Sequence, residues 1–362
     1  MRSRLLLLIV LLLAVATPAS AADLKLTIDA GAARAVLDAL ETPTLDRERA
    51  LVIAHMPGNQ GLIRKARSYG RQADEASFAA ALVAVAHGDT VYKDASGFAF
   101  ARVVPHIAQL RRVLAELENP ATGLIEQARR RIALYTPPTL ATAITGYFVV
   151  GGTSGGFAFG DPEFFLNLDY FPDATLATTI LEHELYHAVQ GAAAPPKPRL
   201  TAIAQCLKRA ATPPHLDDLF GALVQEGTAS AVGDVLALPK DMTGPAADER
   251  KKFARNVAMV DRSVTLLALS THALATRAVE YDPIYALGFY GDEILYALGY
   301  VMAKAIEREQ GPQAIAALLT DPTGAGFINR YRALKAYGSE GAPKLDARTL
   351  AWAARMARCT PR

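Results

Sequence analysis

The stretch that decides the fold of this 362-residue chain is residues 173–191, DATLATTILEHELYHAVQG. Asp173 has the side chain of an N-cap residue, so the sequence predicts a helix from about 174 to 191. On that helix His183 and His187 are four residues apart, and both imidazoles therefore leave the same face. Two neutral nitrogen ligands at this spacing are half of a tetrahedral zinc site. We therefore expect one zinc ion per chain at this helix.

Glu184 follows the first histidine and is rotated by about 100° around the same helix. Its carboxylate is thereby placed beside the ion rather than on it, where it can take a proton from a zinc-bound water. The order H-E-x-x-H combines two metal ligands with one general base, as metal-assisted hydrolysis requires. The alternative is a chance arrangement of two inert, hydrogen-bonded histidines. A complete H-E-x-x-H motif rarely arises by chance in a chain with only seven histidines, so this alternative explains the motif poorly.

A third protein ligand is expected on a second helical segment, which runs from about 216 to 238. Glu226 is followed by Gly227, which lets the helix pack close to a neighbour while the carboxylate reaches the ion. Three other acids on this segment remain alternatives: Asp217, Asp218 and Asp234. The first two lie at the helix start, where acids ordinarily serve as caps and compensate the helix dipole.

Two motifs together resemble a known group of enzymes. H-E-x-x-H followed by E-G-x-A at 226–229 is similar to the gluzincin metallopeptidases, the thermolysin-like clan, and most of all to their peptidase-MA-like and membrane-alanyl-aminopeptidase-like branches. The resemblance implies a zincin-like catalytic domain, peptide or protein substrates, and Glu226 as the third zinc ligand. It covers about residues 139–320 in short motifs. The G-x-M-E-N motif that holds a free amino terminus is absent, so an aminopeptidase is not indicated.

A tyrosine is implicated by the same resemblance. Tyr296, Gly299 and Gly311 match the register of a helix of the form Y-x-x-G in those families. By that resemblance the Tyr296 hydroxyl donates a hydrogen bond to the oxyanion of the tetrahedral intermediate. Without the resemblance, Tyr296 is interpreted as a core aromatic residue on a buried helix. Tyr290 and Tyr300 are the neighbouring tyrosines with which the donor could be confused.

The remaining pattern predicts the fold class. Residues 139–150 are rich in Thr, Ile, Tyr, Phe and Val, residues 164–169 alternate, and glycines separate them. This predicts a small antiparallel sheet beside the H-E-x-x-H helix. The rest is mainly helical, apart from a short strand at 24–28. The sequence thus predicts an α+β protein that is mainly α, with a helical N-terminal region at 22–138 and a zincin-like domain at 139–362.

The N-terminus has the composition of a secretory signal peptide. A basic start is followed by apolar residues 5–16 and by Ala19-Ser20-Ala21, a small-x-small cleavage site, which predicts a signal peptide at 1–21. This apolar stretch is shorter than the roughly 20 residues that span a bilayer. We therefore expect an exported protein, periplasmic or secreted, without stable membrane insertion after cleavage. An uncleaved anchor is the alternative.

Charge and cysteine content narrow the choice of partners further. The formal net charge is +2 and becomes zero once Arg2 and Arg4 leave with the signal peptide. Without a dense basic run, nothing indicates binding to nucleic acid or to anionic lipid.

The two cysteines, Cys206 and Cys359, form a disulfide or remain two buried thiols, and the sequence leaves both open. Residues 194–198, APPKP, predict a stiff exposed excursion.

Two rival functions compete with a zinc-dependent metallopeptidase. A di-iron carboxylate site needs a second E-x-x-H motif, and the residues three positions before the five other histidines are all uncharged. A catalytically inactive zinc-binding protein on the same scaffold would ordinarily have lost its base or a ligand, whereas here the motif is whole; it remains the alternative. The predicted function is hydrolysis of peptide bonds by an exported zinc enzyme.

Overall fold

A computed structural model describes residues 22–360, and the predicted signal peptide at 1–21 lies outside the described residues. Within the described part, helices predominate and four strands form one small sheet, which confirms an α+β fold that is mainly α. The strands are β1 (Asp23–Asp29), β2 (Ala141–Val149), β3 (Gly156–Ala158) and β4 (Glu163–Asn167).

The sheet is mixed, so the antiparallel arrangement predicted for the segments within 139–169 is confirmed for β3 and β4 but wrong for β2 and β4. In the strand order β1-β2-β4-β3, β1 pairs with β2 and β2 pairs with β4 in parallel, while only β3 and β4 are antiparallel. Alternation of side chains indicates which face a strand buries, but it carries no information on strand direction. A short connection joins β3 to β4, whereas β1 reaches β2 only after a long helical excursion, as parallel strands require.

Helices make up most of the described chain. Between β1 and β2 lie α1 (Gly31–Leu40), α2 (Arg47–Ala54), α3 (Pro57–Ser68), α4 (Glu75–Ala86), α5 (Phe100–Val103), α6 (Ile107–Glu118) and α7 (Leu124–Leu134). After β4 follow α8 (Ala174–Ala192), α9 (Lys197–Arg209), α10 (Leu216–Val232), α11 (Pro245–Ala258), α12 (Val260–Thr276), α13 (Tyr281–Phe289), α14 (Ile294–Gln310), α15 (Pro312–Ala316), α16 (Ala325–Arg332) and α17 (Ala347–Met356). Short 3-10 helices lie at Val104–His106, Leu168–Tyr170, Val235–Ala237 and Ala357–Cys359.

The helix that carries H-E-x-x-H forms where it is expected. The Asp173 side chain caps α8 by accepting a hydrogen bond from the Leu176 amide at 2.8 Å. The exposed excursion predicted at 194–198 is wrong in its second half, because α9 begins at Lys197. Pro198 then lies in the first turn of α9, where proline is tolerated because the amide it lacks would have no helical partner.

A disulfide joins α9 to the C-terminal end of the described chain. Cys206 and Cys359 are 153 residues apart in sequence, yet their Cα atoms are 5.5 Å apart and their sulfurs are bonded. The structure thereby decides between the two states that the sequence leaves open. Closing so long a loop restricts the unfolded chain and stabilises the fold by up to a few kcal/mol, about 2–4 in typical proteins.

The helices α10 and α14 cross with their backbones in direct contact. A Cβ built on Gly227 would lie 2.3 Å from the Cα of Gly299, so no side chain fits at either position. The helix α10 also packs on α8, where a Cβ on Gly233 would lie 2.6 Å from the carbonyl oxygen of Thr179. The three helices therefore form one tightly packed block, and the close packing expected beside Glu226 is confirmed.

The sheet crosses the predicted division of the chain. Strand β1 lies before residue 138 and pairs with β2, which lies after it, so both predicted regions contribute to one sheet. The division into regions at 138/139 remains a prediction. Among the helices within residues 22–360, none is both long enough and apolar enough to cross a bilayer.

Candidate metal centre

Three side chains from two helices of the block converge: His183 and His187 from α8, and Glu226 from α10. The Nε2 atoms of the two imidazoles are 3.0 Å apart. The Oε2 atom of Glu226 lies 3.5 Å from Nε2 of His183 and 3.2 Å from Nε2 of His187. Across residues 22–360, no other group of three or more histidine, cysteine or acidic side chains brings its ligand atoms this close together.

The acids that the sequence leaves as alternative ligands lie outside this cluster. Asp218 pairs with His215 at 2.8 Å near the start of α10. Asp234 accepts a hydrogen bond from the Tyr300 hydroxyl at 3.0 Å. Asp217 is likewise not part of the converging group. Of the four candidate acids, the fold brings only Glu226 to the histidines.

The donor set fits a zinc ion. Two ligand atoms that each lie about 2.1 Å from a tetrahedral ion are roughly 3.4 Å apart, and the three separations here are 3.0, 3.2 and 3.5 Å. Glu226 Oε2 is buried and accepts no hydrogen bond from any described residue. A buried acceptor without a donor is costly unless a cation compensates it. Two imidazoles and one carboxylate also form the ligand set of open, catalytic zinc sites.

The charges at the cluster favour a cation at the point where the three side chains meet. Burial alone would raise the pKa of Glu226, but the two neighbouring imidazoles hold it well below its ordinary value. Burial alone would lower the pKa of His187, but the Glu226 carboxylate raises it to about 9. The Glu226 carboxylate thus keeps its negative charge against the cost of burial, because positive charge beside it is stabilising. A divalent cation supplies that charge directly.

Glu184 lies beside the three donors and lines the same cleft, which has a volume of about 840 Å³. Its side chain is buried against β3, because a Cβ built on Gly156 would lie 2.5 Å from Glu184 Oε1. Burial raises the pKa of Glu184, and the charges of His183 and His187 oppose that rise. The carboxylate is therefore next to the metal-binding atoms without being one of them.

Residues 52–337 match the model of a family whose description reads "Putative zinc dependent peptidase (DUF5700)". The chain belongs to this family. The matched span contains the whole donor cluster, Glu184 and Tyr296. No curated protein and no solved structure matches the chain. Membership in DUF5700 supports a zinc-dependent peptidase as the general function.

In this member of DUF5700, Tyr296 lies in the first turn of α14 and lines the cleft. Its ring is nearly parallel to that of His183, with an interplanar angle of 12° and centroids 6.3 Å apart. Burial and then the negative charge of Glu226 raise the pKa of Tyr296 well above its ordinary value. The phenol therefore keeps its proton at neutral pH, and its hydroxyl, which interacts with the Glu226 carboxylate, can act as a hydrogen-bond donor.

The other tyrosines near the cleft are placed differently. Tyr300 donates its hydroxyl to Asp234 and does not line the cleft. Tyr290 lines the cleft but is 57% exposed. Tyr285, which the sequence analysis did not single out, also lines the cleft, and burial raises its pKa to about 12. The aromatic spacing of four residues from Tyr285 to Phe289 along α13 is the signal that would have indicated it.

Gln190 is a second side chain that sequence reasoning missed. His187 donates its Nδ1 hydrogen to Gln190 Oε1 at 2.7 Å. The Gln190 amide nitrogen donates to the carbonyl oxygen of Gln225 at 2.9 Å and to Thr228 Oγ1 at 3.0 Å. These two acceptors fix the orientation of the amide, so its oxygen faces the imidazole. The His187 proton is thereby held on Nδ1, and the lone pair on Nε2 is directed to the cluster.

We expect Gln190→Leu to weaken zinc binding by about 10- to 100-fold, the usual loss when a partner of a ligating histidine is removed. Leucine keeps the approximate volume but leaves Nδ1 without an acceptor, so the imidazole loses its fixed tautomer. Competition with a zinc-chelating dye measures the affinity. Gln225→Ala is the matched control, because Gln225 contributes only its backbone carbonyl. Equal affinities for the two variants would contradict a positioning role for Gln190.

Proposed function

We propose that this chain is a gluzincin-type zinc metallopeptidase in which His183, His187 and Glu226 hold one zinc ion per chain. The observation that carries the proposal is the convergence of three donor atoms at 3.0–3.5 Å around a buried carboxylate oxygen that no described donor satisfies. A zinc ion held there would supply a Lewis acid that polarises the attacking water and the scissile carbonyl. The third ligand on a second helix supports the gluzincin type.

Glu184 serves as the general base in this proposal. Its carboxylate lies beside the donor cluster on the wall of the cleft, where the attacking water would be placed. Burial raises its pKa, which strengthens the carboxylate as a proton acceptor. It accepts the proton of the water and then passes a proton to the leaving amine, so that one side chain serves both half-steps.

The edge of β3 is the surface that best fits a peptide backbone. Strand β3 ends the sheet and pairs with β4 on one side only. The Asn167 amide donates to the carbonyl of Gly155 at 2.8 Å. Because backbone groups alternate in direction along a strand, those of Gly156 and Ala158 point away from β4. An extended substrate can add to this edge and run beside Glu184, in exchange for the hydrogen bond that the Ser154 hydroxyl donates to the Gly156 carbonyl at 2.8 Å.

Tyr296 is the proposed donor to the oxyanion. It lines the cleft from the first turn of α14, with its ring nearly parallel to that of the proposed ligand His183. Its raised pKa keeps the hydroxyl protonated, and a neutral phenol can donate a hydrogen bond where negative charge develops on the carbonyl oxygen.

Export is also part of the proposal. The N-terminal pattern of a basic start, an apolar stretch and a small-x-small site supports it. The Cys206–Cys359 disulfide agrees with it, because structural disulfides persist in oxidising compartments and are rare in the cytosol. As a periplasmic or secreted protein, the enzyme would act on peptides or proteins outside the cytoplasm.

Metal removal tests the proposed function. The purified protein is expected to contain one zinc per chain and to cleave a mixture of unstructured peptides, with cleavage lost after chelation and restored by added zinc. Glu226→Ala is expected to purify without zinc, because two imidazoles alone leave the site short of a ligand. Asp218→Ala is the control on the same helix. Full zinc retention by Glu226→Ala would contradict the ligand assignment, and zinc without cleavage would favour the inactive zinc-binding protein.

A further inference from the structure

The side chain of Lys65 lines the cleft together with residues of β3. It belongs to α3, which packs directly on the sheet: a Cβ built on Gly61 would lie 2.0 Å from the Phe165 ring. The side chain of Lys65 lies beside Phe157 of β3. Its Nζ atom is 5.5 Å from the centre of the Phe157 ring and 5.0 Å from that of Tyr69. It lines the same cleft as Glu184 and the donor cluster.

The charge of Lys65 is not neutralised by an ion pair. Among the described residues that line the cleft, it is the only lysine or arginine. No carboxylate within residues 22–360 lies within 4.0 Å of its Nζ atom, although its charge acts on the Glu184 carboxylate at longer range and lowers the pKa of that group. The acids on the opposite wall, Glu249 and Glu293, have their own cation in Lys252, at 3.7 and 2.9 Å.

The two neighbouring arginines of α3 each have a polar partner elsewhere in the fold. Arg64 pairs with Asp161 at 2.8 Å, and Arg67 donates to the carbonyl of Ala73 at 2.5 Å. The two rings near Lys65 attract its ammonium group by cation–π interaction, which holds the ammonium at the cleft but leaves its hydrogen-bonding capacity unused. Lys65 thus has both the charge and the donors to bind an anionic group.

We propose that Lys65 binds a carboxylate of the substrate, so that the preferred peptides carry a negative charge within a few residues of the scissile bond. The carboxylate is either the free C-terminus of the peptide or the side chain of an aspartate or glutamate. This inference rests on the proposed peptidase function. It follows from the position of Lys65 in the cleft beside Phe157 of β3, the strand along which the peptide backbone would run, and from the absence of an ion pair to its ammonium group.

The test uses pairs of peptides that differ only in one charge. In the first pair the C-terminus is a free acid or an amide, and in the second an internal residue is glutamate or glutamine. With the zinc-loaded protein, the anionic member of one pair is expected to have a kcat/KM about 10-fold or more above that of its neutral twin, as for a hydrogen bond between charged groups. A preference in the first pair identifies the C-terminal carboxylate, and one in the second pair identifies the side chain.

Three variants assign any preference to the lysine. Lys65→Met keeps the length of the side chain and its contact with both rings. It is expected to lower the kcat/KM of the anionic peptide to that of its neutral twin. Lys65→Arg is expected to retain most of the preference. Arg67→Met removes the same charge from the same helix outside the cleft and is expected to retain all of it. Equal cleavage of both twins by the wild type, or an equal loss for both twins in Lys65→Met, would overturn the proposal.

Binding separates this inference from the proposed function. The same peptides are titrated against the Glu184→Gln variant, which retains the cleft, and dissociation constants replace rates. A binding preference for the anionic twin that Lys65→Met abolishes in this background supports the carboxylate site even if the wild type cuts no peptide, in which case only the peptidase function fails. Cleavage without any charge preference in rates or binding retains the peptidase and overturns the role of Lys65. If neither twin binds nor is cut, both proposals are wrong.

Discussion

Glu184→Gln is expected to lower kcat by about 10³- to 10⁴-fold, the upper part of the range for a general base. The amide has nearly the shape of the carboxylate and fits against Gly156, but it cannot accept the proton of the attacking water. Zinc content is expected to be unchanged, because Glu184 is outside the converging group of ligand atoms. The measurements are kcat on a peptide substrate and metal content of the same preparation.

A neighbouring acid provides the control for Glu184. Glu182 is also buried on α8, but it faces Arg131, with 3.5 Å between Glu182 Oε2 and Arg131 Nε, and does not line the cleft. Glu182→Gln makes the same chemical change on the same helix but outside the cleft, so it reports on the fold and on the stability of the helix. Similar losses of kcat in the two variants would show that charge on α8, rather than proton transfer, is what matters. A Glu184→Gln variant with the wild-type rate would exclude Glu184 as the base.

Tyr296→Phe is expected to lower kcat by roughly 10²- to 10³-fold, the usual loss for one oxyanion donor. The substitution removes only the hydroxyl, so the ring keeps its parallel contact with His183. Since the donor acts on charge that develops in the transition state, KM is expected to change little. Steady-state kinetics and zinc analysis on the same protein check the result.

Tyr290→Phe is the matched control, because Tyr290 lines the same cleft but is largely exposed. It is expected to reduce kcat far less than Tyr296→Phe. Tyr285→Phe extends the comparison, since Tyr285 also lines the cleft and is more buried than Tyr290. If Tyr285→Phe or Tyr290→Phe is the damaging change, the Y-x-x-G register through Gly299 has assigned the wrong donor.

Local features of the fold were predictable from the sequence. The helix α8 follows from Asp173 and from the motif itself, because capping and the four-residue spacing of ligands depend only on nearby residues. The approach of α10 to a neighbouring helix follows from Gly227, since a glycine beside a candidate ligand indicates close backbone contact. Both predictions rest on residues that are close together in sequence, although the helix that packs on Gly227 is not among them.

Features that depend on distant partners were not predictable in the same way. Strand direction in the sheet depends on the connections between strands, and side-chain alternation does not encode it. Gln190 is one of many amides until the fold places the carbonyl of Gln225 and the hydroxyl of Thr228 beside it. The pairing of Cys206 with Cys359 depends on a contact across 153 residues, which spacing in sequence cannot reveal.

The crossing of α10 and α14 limits how the cleft can adapt to its substrate. Two helices that touch through backbone atoms at Gly227 and Gly299 have no intervening side chain whose change of rotamer would let them slide. Glu226 precedes the first of these glycines by one residue, and Tyr296 precedes the second by three. The carboxylate and the phenol are therefore carried as a single rigid body, with a spacing that stays constant through turnover. Adaptation to substrates of different size is therefore expected from other parts of the cleft lining rather than from this crossing.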